Sequence, residues 1–206
     1  MSRMKCFLIS LLAAIAGFSQ IPGSPIPGPP PPGSSVGVPI TDEPPGGSRP
    51  VQPPPLSPPE KASVTISGQK ITVKYGAPAM RKRVIFGGIE PYYRVWRAGA
   101  NDATILQTSA DLDFSGFLVA KGEYSLFVWL DPQKWQLIIN RQTGQSGLEY
   151  HQDRDLGRVP MDMSRPPKLV ERFKITLTRT ADTKGQLKLA WENTVAAADF
   201  VVRTAP

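Results

Sequence analysis

Cysteine and histidine are nearly missing from this chain of 206 residues, which has one of each. The cysteine, Cys6, lies inside an apolar N-terminal stretch with the features of a cleaved signal. Once that stretch is removed, the chain has no thiol for a disulfide, a nucleophile or a metal site. A zinc site around His151 would then need carboxylates in unusual proportion. The sequence therefore predicts neither a metal nor a cofactor.

Sequence motifs of familiar enzyme classes are also missing, since the chain has no Gly-x-Ser-x-Gly, phosphate loop or His-Glu-x-x-His. A serine triad would have to use His151 as the base, oriented by Asp153 or Asp155. A solvated loop histidine is the simpler interpretation. The spacing of Asp153, Asp155 and Gly157 resembles a calcium loop, but a third oxygen ligand and the closing glutamate are missing. We expect a solvated turn there.

Aromatic residues are missing from a proline-rich segment that precedes the main domain. Of the 23 prolines, 16 lie between Pro22 and Pro59, and no aromatic residue lies between them. A segment with so little to bury cannot offset the entropy of ordering it. We therefore predict a disordered, polyproline-like linker over residues 17–60, whose removal leaves folding stability unchanged. Docking of its proline runs on an aromatic groove is the less common alternative.

Residues 1–16 have the features of a signal peptide. A basic start, Met1–Lys5, is followed by the apolar stretch Cys6–Ala16, which ends in the small-x-small pattern of Ala14 and Ala16. The stretch is shorter than the ~20 apolar residues of a spanning helix. We therefore expect export to the periplasm or the cell exterior, with no stable membrane span after cleavage. An uncleaved N-terminal anchor is the alternative.

Residues 61–206 show alternating strand patterns and no convincing helical spacing. A two-residue loop at Gly68-Gln69 predicts a type II′ hairpin, and Asp131-Pro132 predicts a turn between two further strands. Single strands are predicted over 103–109 and 111–119. Near the end, two alternating runs predict a hairpin with these buried residues: Phe173, Ile175, Leu177, Leu187, Leu189 and Trp191. The patterns favour one all-β domain, an antiparallel β-sandwich or jelly roll.

One block, Pro78 to Thr104, combines aromatic residues, arginines, glycines and an Asn-Asp pair. The block, with Trp96-Arg-Ala-Gly-Ala-Asn101 at its centre, resembles the bacterial family catalogued as domain of unknown function 2911. The segments Ala120–Leu126 and Leu189–Thr194 extend the resemblance over most of residues 62–202. It implies an exported protein and supplies no activity. Lys82 stands where the family pattern has a glycine.

The same block holds most of the candidate ligand-binding residues, which are Tyr92, Trp96, Arg97, Asn101, Asp102 and Glu123. Trp96 is the candidate for stacking on a ligand. A strand through this block carries an arginine on each face, and a buried guanidinium needs a carboxylate or several carbonyls. We predict that Arg97 is partly buried and paired with Asp102. The cluster binds a sugar or an anionic group, or else Arg97 and Asp102 only tie the loop, with Asn101 in an Asx-type turn.

The charge balance points to anionic partners. The formal net charge is +7, and residues 1–60 contribute nothing to it because their three basic and three acidic residues cancel. We expect a binding or structural module of the cell envelope, with an anionic envelope component or a glycan as partner and no nucleic acid. The alternative is an extracytoplasmic hydrolase that uses Asp102, Glu123 or His151. The densest basic run, 81–83, is expected to be a solvated loop.

Overall fold

The prediction of an all-β sandwich is confirmed. A computed structural model describes residues 56–203, so the predicted signal peptide and residues 17–55 of the predicted linker lie outside the described residues. Over that range the chain forms thirteen strands in two antiparallel sheets, with one short 3-10 turn at Gln152–Arg154. None of the helical structure in residues 56–203 is long or apolar enough to cross a bilayer.

The first sheet has the strand order β1-β2-β4-β7-β8-β9, and β3 pairs with β7 on the edge that β4 also uses. Its strands are β1 (Pro59–Ile66), β2 (Gln69–Gly76), β3 (Val95–Trp96), β4 (Thr104–Thr108), β7 (Gly122–Trp129), β8 (Gln136–Asn140) and β9 (Asp155–Pro160).

The second sheet has the order β11-β12-β13-β5-β6, and β10 pairs with β13. Its strands are β5 (Asp111–Phe114), β6 (Phe117–Val119), β10 (Asp162–Ser164), β11 (Val170–Arg179), β12 (Lys184–Glu192) and β13 (Thr194–Arg203). Inward residues of both sheets form one buried cluster, as the alternation along the strands requires. Edge strand β1 lies against β11, and β6 lies against β9.

The predicted C-terminal hairpin is confirmed in register and in its core. Leu177 pairs with Leu187 across β11 and β12, and both are buried. Trp191 is 4% exposed, as a core residue should be. The alternation also predicts that Lys174 and Lys188 are exposed; Lys174 is exposed, whereas Lys188 is half-buried.

Two turns differ from the sequence prediction. The first hairpin turns at Ser67-Gly68, where both residues have positive φ (50° and 75°), as a type I′ turn requires. The predicted strand 111–119 is a hairpin, since the chain reverses at Ser115-Gly116 (φ 55° and 95°) and Phe114 pairs with Phe117. In both cases a serine adopts the left-handed conformation beside a glycine, which composition alone does not signal.

The domain begins earlier than expected. Pro59 and Glu60 belong to β1, where they pair with Gly76 and Tyr75. Just before the strand, the Pro58 carbonyl accepts a hydrogen bond from Ala77 N at 2.9 Å. The predicted boundary between residues 60 and 61 therefore falls inside a strand, because backbone pairing needs no aromatic or aliphatic side chain.

Candidate functional site

The central feature of the site is a seven-residue excursion from the edge of the first sheet. Trp96 pairs with Val128 and Thr104 pairs with Leu126, so β3 and β4 follow the same edge of β7. Residues 97–103 leave that edge opposite the single residue Phe127. We call residues 97–103 the excursion. It contains most of the family-like Trp-Arg-Ala-Gly-Ala-Asn-Asp motif.

The excursion fits between two glycines. Ala100 N donates to the Gly76 carbonyl oxygen at 3.2 Å, and Gly147 N donates to the Asn101 carbonyl oxygen at 3.0 Å. A Cβ on Gly76 would lie 2.2 Å from the Ala100 carbonyl oxygen, and one on Gly147 would lie 2.7 Å from Arg97 Cδ. Such distances exclude a side chain at either position unless the excursion moves. The excursion is therefore held in place on both sides.

Arg97, the first residue of the excursion, is half-buried as predicted, but its predicted partner is wrong. Its Nε donates to the Gly99 carbonyl oxygen at 3.1 Å, and its Nη1 donates to the Asn101 carbonyl oxygen at 3.5 Å. No carboxylate within residues 56–203 forms an ion pair with it. Asp102 is exposed and pairs through its backbone with Ser146. Carbonyls of the excursion itself therefore hold the guanidinium.

Trp96 is part of the core and not a ligand platform, so that prediction is also wrong. Its side chain is 2% exposed and stacks on Trp191 at 5.9 Å between ring centroids. It is also in edge-to-face contact with Phe86, Trp135 and Phe173. The inward face of β3 carries it between the sheets, which leaves too little surface for a ligand.

The other candidate residues are dispersed. The Tyr92 ring packs over Gly87, where a Cβ would lie 2.7 Å from Tyr92 Cε2. Asn101 has φ 66° and donates through Nδ2 to the Ser57 carbonyl oxygen at 3.1 Å, so it fixes a turn without an Asx-type bond. Glu123 is bonded to Gln107 and lies four residues along β7 from the excursion, about 13 Å at the rise of a strand.

Three arginines instead converge on one cavity that the sequence analysis did not single out. Arg81, Arg83 and Arg97 line a cavity of about 240 Å³, together with the carboxyl of Glu90. We call this cavity the arginine pocket. Arg81 and Arg83 lie in residues 77–94, which connect β2 to β3 and which we call the crossover. Within the crossover, Ala79 pairs with Arg172 of β11. The pairing of Ala79 with the second sheet brings the basic run 81–83 next to the excursion.

Backbone carbonyls also hold the other two guanidiniums of the arginine pocket. Arg83 Nε donates to the Met80 carbonyl oxygen at 2.9 Å, and its Nη2 donates to the Ala79 carbonyl oxygen at 3.1 Å. Arg81 Nη2 donates to the Leu56 carbonyl oxygen at 3.4 Å. Neither forms an ion pair with an acid in the described part of the chain. The run 81–83 is exposed as expected, but two of its side chains line a cavity.

Glu90 is the acid of the arginine pocket, and sequence reasoning missed it. Burial raises the pKa of its carboxyl, and the positive charge of Arg97 partly opposes that rise. Glu90 and Arg97 also line a second cavity of about 160 Å³, together with Leu148 and Tyr150. The only available signal was the position of Glu90 within the family-like block.

The candidate hydrolase residues do not share one cavity. Asp102 and Asn101 line an outer groove of about 460 Å³ beside Lys61 and Lys74. His151 lines a different cavity, of about 360 Å³, and its Nε2 lies 3.4 Å from the Glu149 carboxylate.

Asp155 does not orient His151. It accepts hydrogen bonds from Tyr150 Oη at 2.7 Å and from Asn140 Nδ2 at 2.9 Å. Burial, and then the bond to Asp155, raise the pKa of Tyr150 to about 12. Asp153 forms an exposed ion pair with Arg154. Within residues 56–203, no group of three or more His, Cys, Asp or Glu side chains is placed to hold a metal ion.

Comparison with known proteins gives a family and no activity. No curated protein and no solved structure shows a significant match to the chain. The family model described as "Protein of unknown function (DUF2911)" matches residues 57–200, which include every strand of the domain except the last residues of β13. The match covers the crossover, the excursion and Glu90, and hence every residue that lines the arginine pocket except Leu56. The chain therefore belongs to the DUF2911 family.

Proposed function

We propose that this protein is an extracytoplasmic, non-catalytic binding module that holds an anionic group of its ligand in the arginine pocket. The observation that carries the proposal is the convergence of Arg81, Arg83 and Arg97 on one cavity without an ion-pair partner among the described residues. Guanidinium groups bind carboxylate, phosphate and sulfate through paired hydrogen bonds. The sequence pattern of residues 1–16 supports the proposed export.

The charge of the pocket favours an anion. Three arginines and one acidic residue, Glu90, line the pocket, so its net charge remains positive even when Glu90 is ionised. The net charge of +7 on residues 61–206 adds a favourable long-range field. The most direct ligands are an acidic sugar or a phosphate group of the cell envelope.

The arginine side chains are already in place before a ligand arrives. Each guanidinium is bonded to at least one backbone carbonyl, and those of Arg83 and Arg97 are each bonded to two. Side chains that are ordered beforehand lose little conformational entropy on binding. At about 240 Å³, the pocket is below the ~300–1,000 Å³ of sites that enclose a drug-sized ligand, so it suits one charged group of a larger molecule.

The hydrolase alternative has weaker support. Asp102 and His151 line different cavities, and Glu123 is bonded to Gln107 away from the excursion. A general acid and base must both reach the same reacting group. This separation favours binding over hydrolysis.

The proposal is tested by titrating the protein with inorganic phosphate, sulfate and glucuronate in a calorimeter at constant ionic strength. We expect saturable binding to the native protein. The Arg81→Gln and Arg83→Gln variants should each bind about tenfold more weakly, because a hydrogen bond to a charged group contributes about 1.5–3 kcal/mol.

Lys82→Gln is the matched control, since it removes the same charge from the same turn and Lys82 does not line the pocket. It should bind almost as tightly as the native protein. Equal losses in Lys82→Gln and Arg83→Gln would indicate a general charge effect and contradict the proposal. Absence of saturable binding of all three anions would also contradict it.

A further inference from the structure

We infer that the mouth of the arginine pocket docks on the surface of a bilayer that contains anionic lipids, with one lipid phosphate inside the pocket. This inference rests on the proposed function, because the same three guanidiniums hold the phosphate. Beyond the proposed function, the inference names the source of the anion, which is a lipid headgroup. It also adds a second, apolar contact between the protein and the bilayer. The contact is made by side chains that lie at the mouth and beside it.

Exposed aliphatic side chains lie at the pocket and beside it. Leu56 and Ile89 line the arginine pocket and are 68% and 46% exposed. Val84, which is 65% exposed, accepts a hydrogen bond at its carbonyl oxygen from Ile89 N. Leu148, which is 82% exposed, lines the adjoining cavity that shares Glu90 and Arg97 with the pocket. We call Leu56, Val84, Ile89 and Leu148 the apolar rim. Aliphatic side chains grouped in this way mark an interaction surface.

The loop that carries Val84 and Ile89 is anchored, so these two side chains are held outward. Ile85 and Phe86, between them in sequence, are 0% and 7% exposed and belong to the core. The Glu192 carboxylate accepts hydrogen bonds from Ile85 N at 3.4 Å and Phe86 N at 3.2 Å. Because the buried pair fixes the loop, its exposed aliphatics cannot fold back onto the domain.

Basic residues lie beside the apolar rim. Arg81, Lys82 and Arg83 are exposed and directly precede Val84. The nearby acid Glu171 accepts a hydrogen bond from Arg81 N at 2.8 Å, and Glu90 is half-buried inside the pocket. A surface with exposed cations and a few protruding aliphatic side chains matches the boundary between headgroups and acyl chains.

The chemistry of the surface favours a bilayer over a folded protein partner. Exposed basic residues and a few protruding aliphatic side chains lie together, and interfacial insertion needs only a few apolar side chains beside anionic headgroups. The pocket, at about 240 Å³, is of a size for one phosphate group. The acyl chains of that lipid would stay in the bilayer, where the rim side chains meet them.

The test measures binding to vesicles by co-sedimentation, using residues 17–206 so that the apolar N-terminal stretch does not itself insert. One set of vesicles is pure phosphatidylcholine, and the other mixes phosphatidylcholine and phosphatidylglycerol in equal parts. We expect binding to the mixed vesicles only, and competition by inorganic phosphate. The variant with both Val84→Ser and Leu148→Ser, neither of which lines the arginine pocket, should lower partitioning about tenfold, while its affinity for free phosphate stays unchanged.

Leu118→Ser is the matched control, because Leu118 is also an exposed aliphatic residue (56%) but lies on β6 of the second sheet. It should leave partitioning unchanged, whereas Arg83→Gln should weaken both vesicle and phosphate binding. Phosphate binding without vesicle binding would overturn the docking inference alone. Binding of polyglutamate without vesicle binding would assign the surface to an acidic protein and overturn it too. If the native protein bound neither phosphate nor vesicles, the proposed function would be overturned as well.

Discussion

Arg97 shows how a charge can be partly buried without a carboxylate. A guanidinium has five N–H donors in a fixed plane, so carbonyl oxygens can satisfy several of them and leave the charge itself uncompensated. In this protein those carbonyls belong to Gly99 and Asn101, in the same short excursion. The arrangement keeps the positive charge available to a ligand, which a pair with Asp102 would have cancelled.

Glu90 is the residue whose protonation state we expect to matter most. Its pKa is raised above the ordinary value of 4.5, mainly by burial. The unfolded chain therefore loses this proton at a lower pH than the folded protein does. The stability that the raised pKa contributes is complete below pH 4.5 and is lost as the pH rises through the folded-state pKa.

From this we predict that Glu90→Gln stabilises the protein at neutral pH and has no such effect below pH 4.5. The same variant should bind phosphate more tightly at neutral pH, because it removes the one negative charge in the arginine pocket. Urea denaturation and calorimetry across the pH range would measure both effects. A constant difference in stability at every pH would show that Glu90 does not titrate as inferred.

At the scale of elements, the excursion inserts seven residues between β3 and β4, which pair with the same edge of β7 on either side of Phe127. Edge interruptions of this kind redirect side chains, and here the interruption places Arg97 beside the crossover. The position of Arg97 therefore depends on contacts that the excursion makes outside β3 and β4, above all on the close approach of Ala100 to Gly76.

We predict that Gly76→Ala destabilises the protein by about 1–3 kcal/mol and weakens phosphate binding. The added Cβ would lie 2.2 Å from the Ala100 carbonyl oxygen, so the excursion must shift and take Arg97 with it. Lys74→Ala, on the same strand and with an exposed side chain, should change stability by less than about 0.5 kcal/mol. Denaturation and hydrogen exchange at the Ala100 amide would test this. An unchanged amide exchange rate would contradict the proposed role of Gly76.

At the scale of the whole molecule, the domain includes part of the segment that its composition assigned to the linker. Glu60 accepts a hydrogen bond from Tyr75 Oη at 2.9 Å, and Tyr75 is 6% exposed. The carbonyls of Ser57 and Pro58 bond to Asn101 and Ala77. These contacts lead us to expect a loss of stability when the last residues of the segment 17–60 are removed, and the removal of residues 17–55 without effect stays a prediction.

We predict that a chain starting at Leu56 is more stable than one starting at Lys61 by more than about 1 kcal/mol. The shorter chain loses the first pairs of β1 and leaves the buried Tyr75 hydroxyl without the Glu60 carboxylate. Guanidinium denaturation of the two chains would give the difference. Equal midpoints and slopes would place the true start of the domain after residue 60.

The strand content, the sandwich, the family and much of the core could be predicted from the sequence. Alternation along a strand is local, so the patterns at Leu177, Leu187 and Trp191 were sufficient to assign their burial. The positions of two turns were not predicted correctly, because the positive φ of Ser67 and Ser115 depends on the strands around them.

Which side chains share a site depends on long-range packing that the sequence pattern does not show. Arg81 and Arg83 meet Arg97 because the crossover pairs with β11 while the excursion packs on Gly76 and Gly147, and neither contact is local in sequence. The same long-range packing turned Trp96 into the core and left Asp102 exposed. A motif shows which residues lie close along the chain, whereas a binding site depends on which residues the two sheets bring together in space.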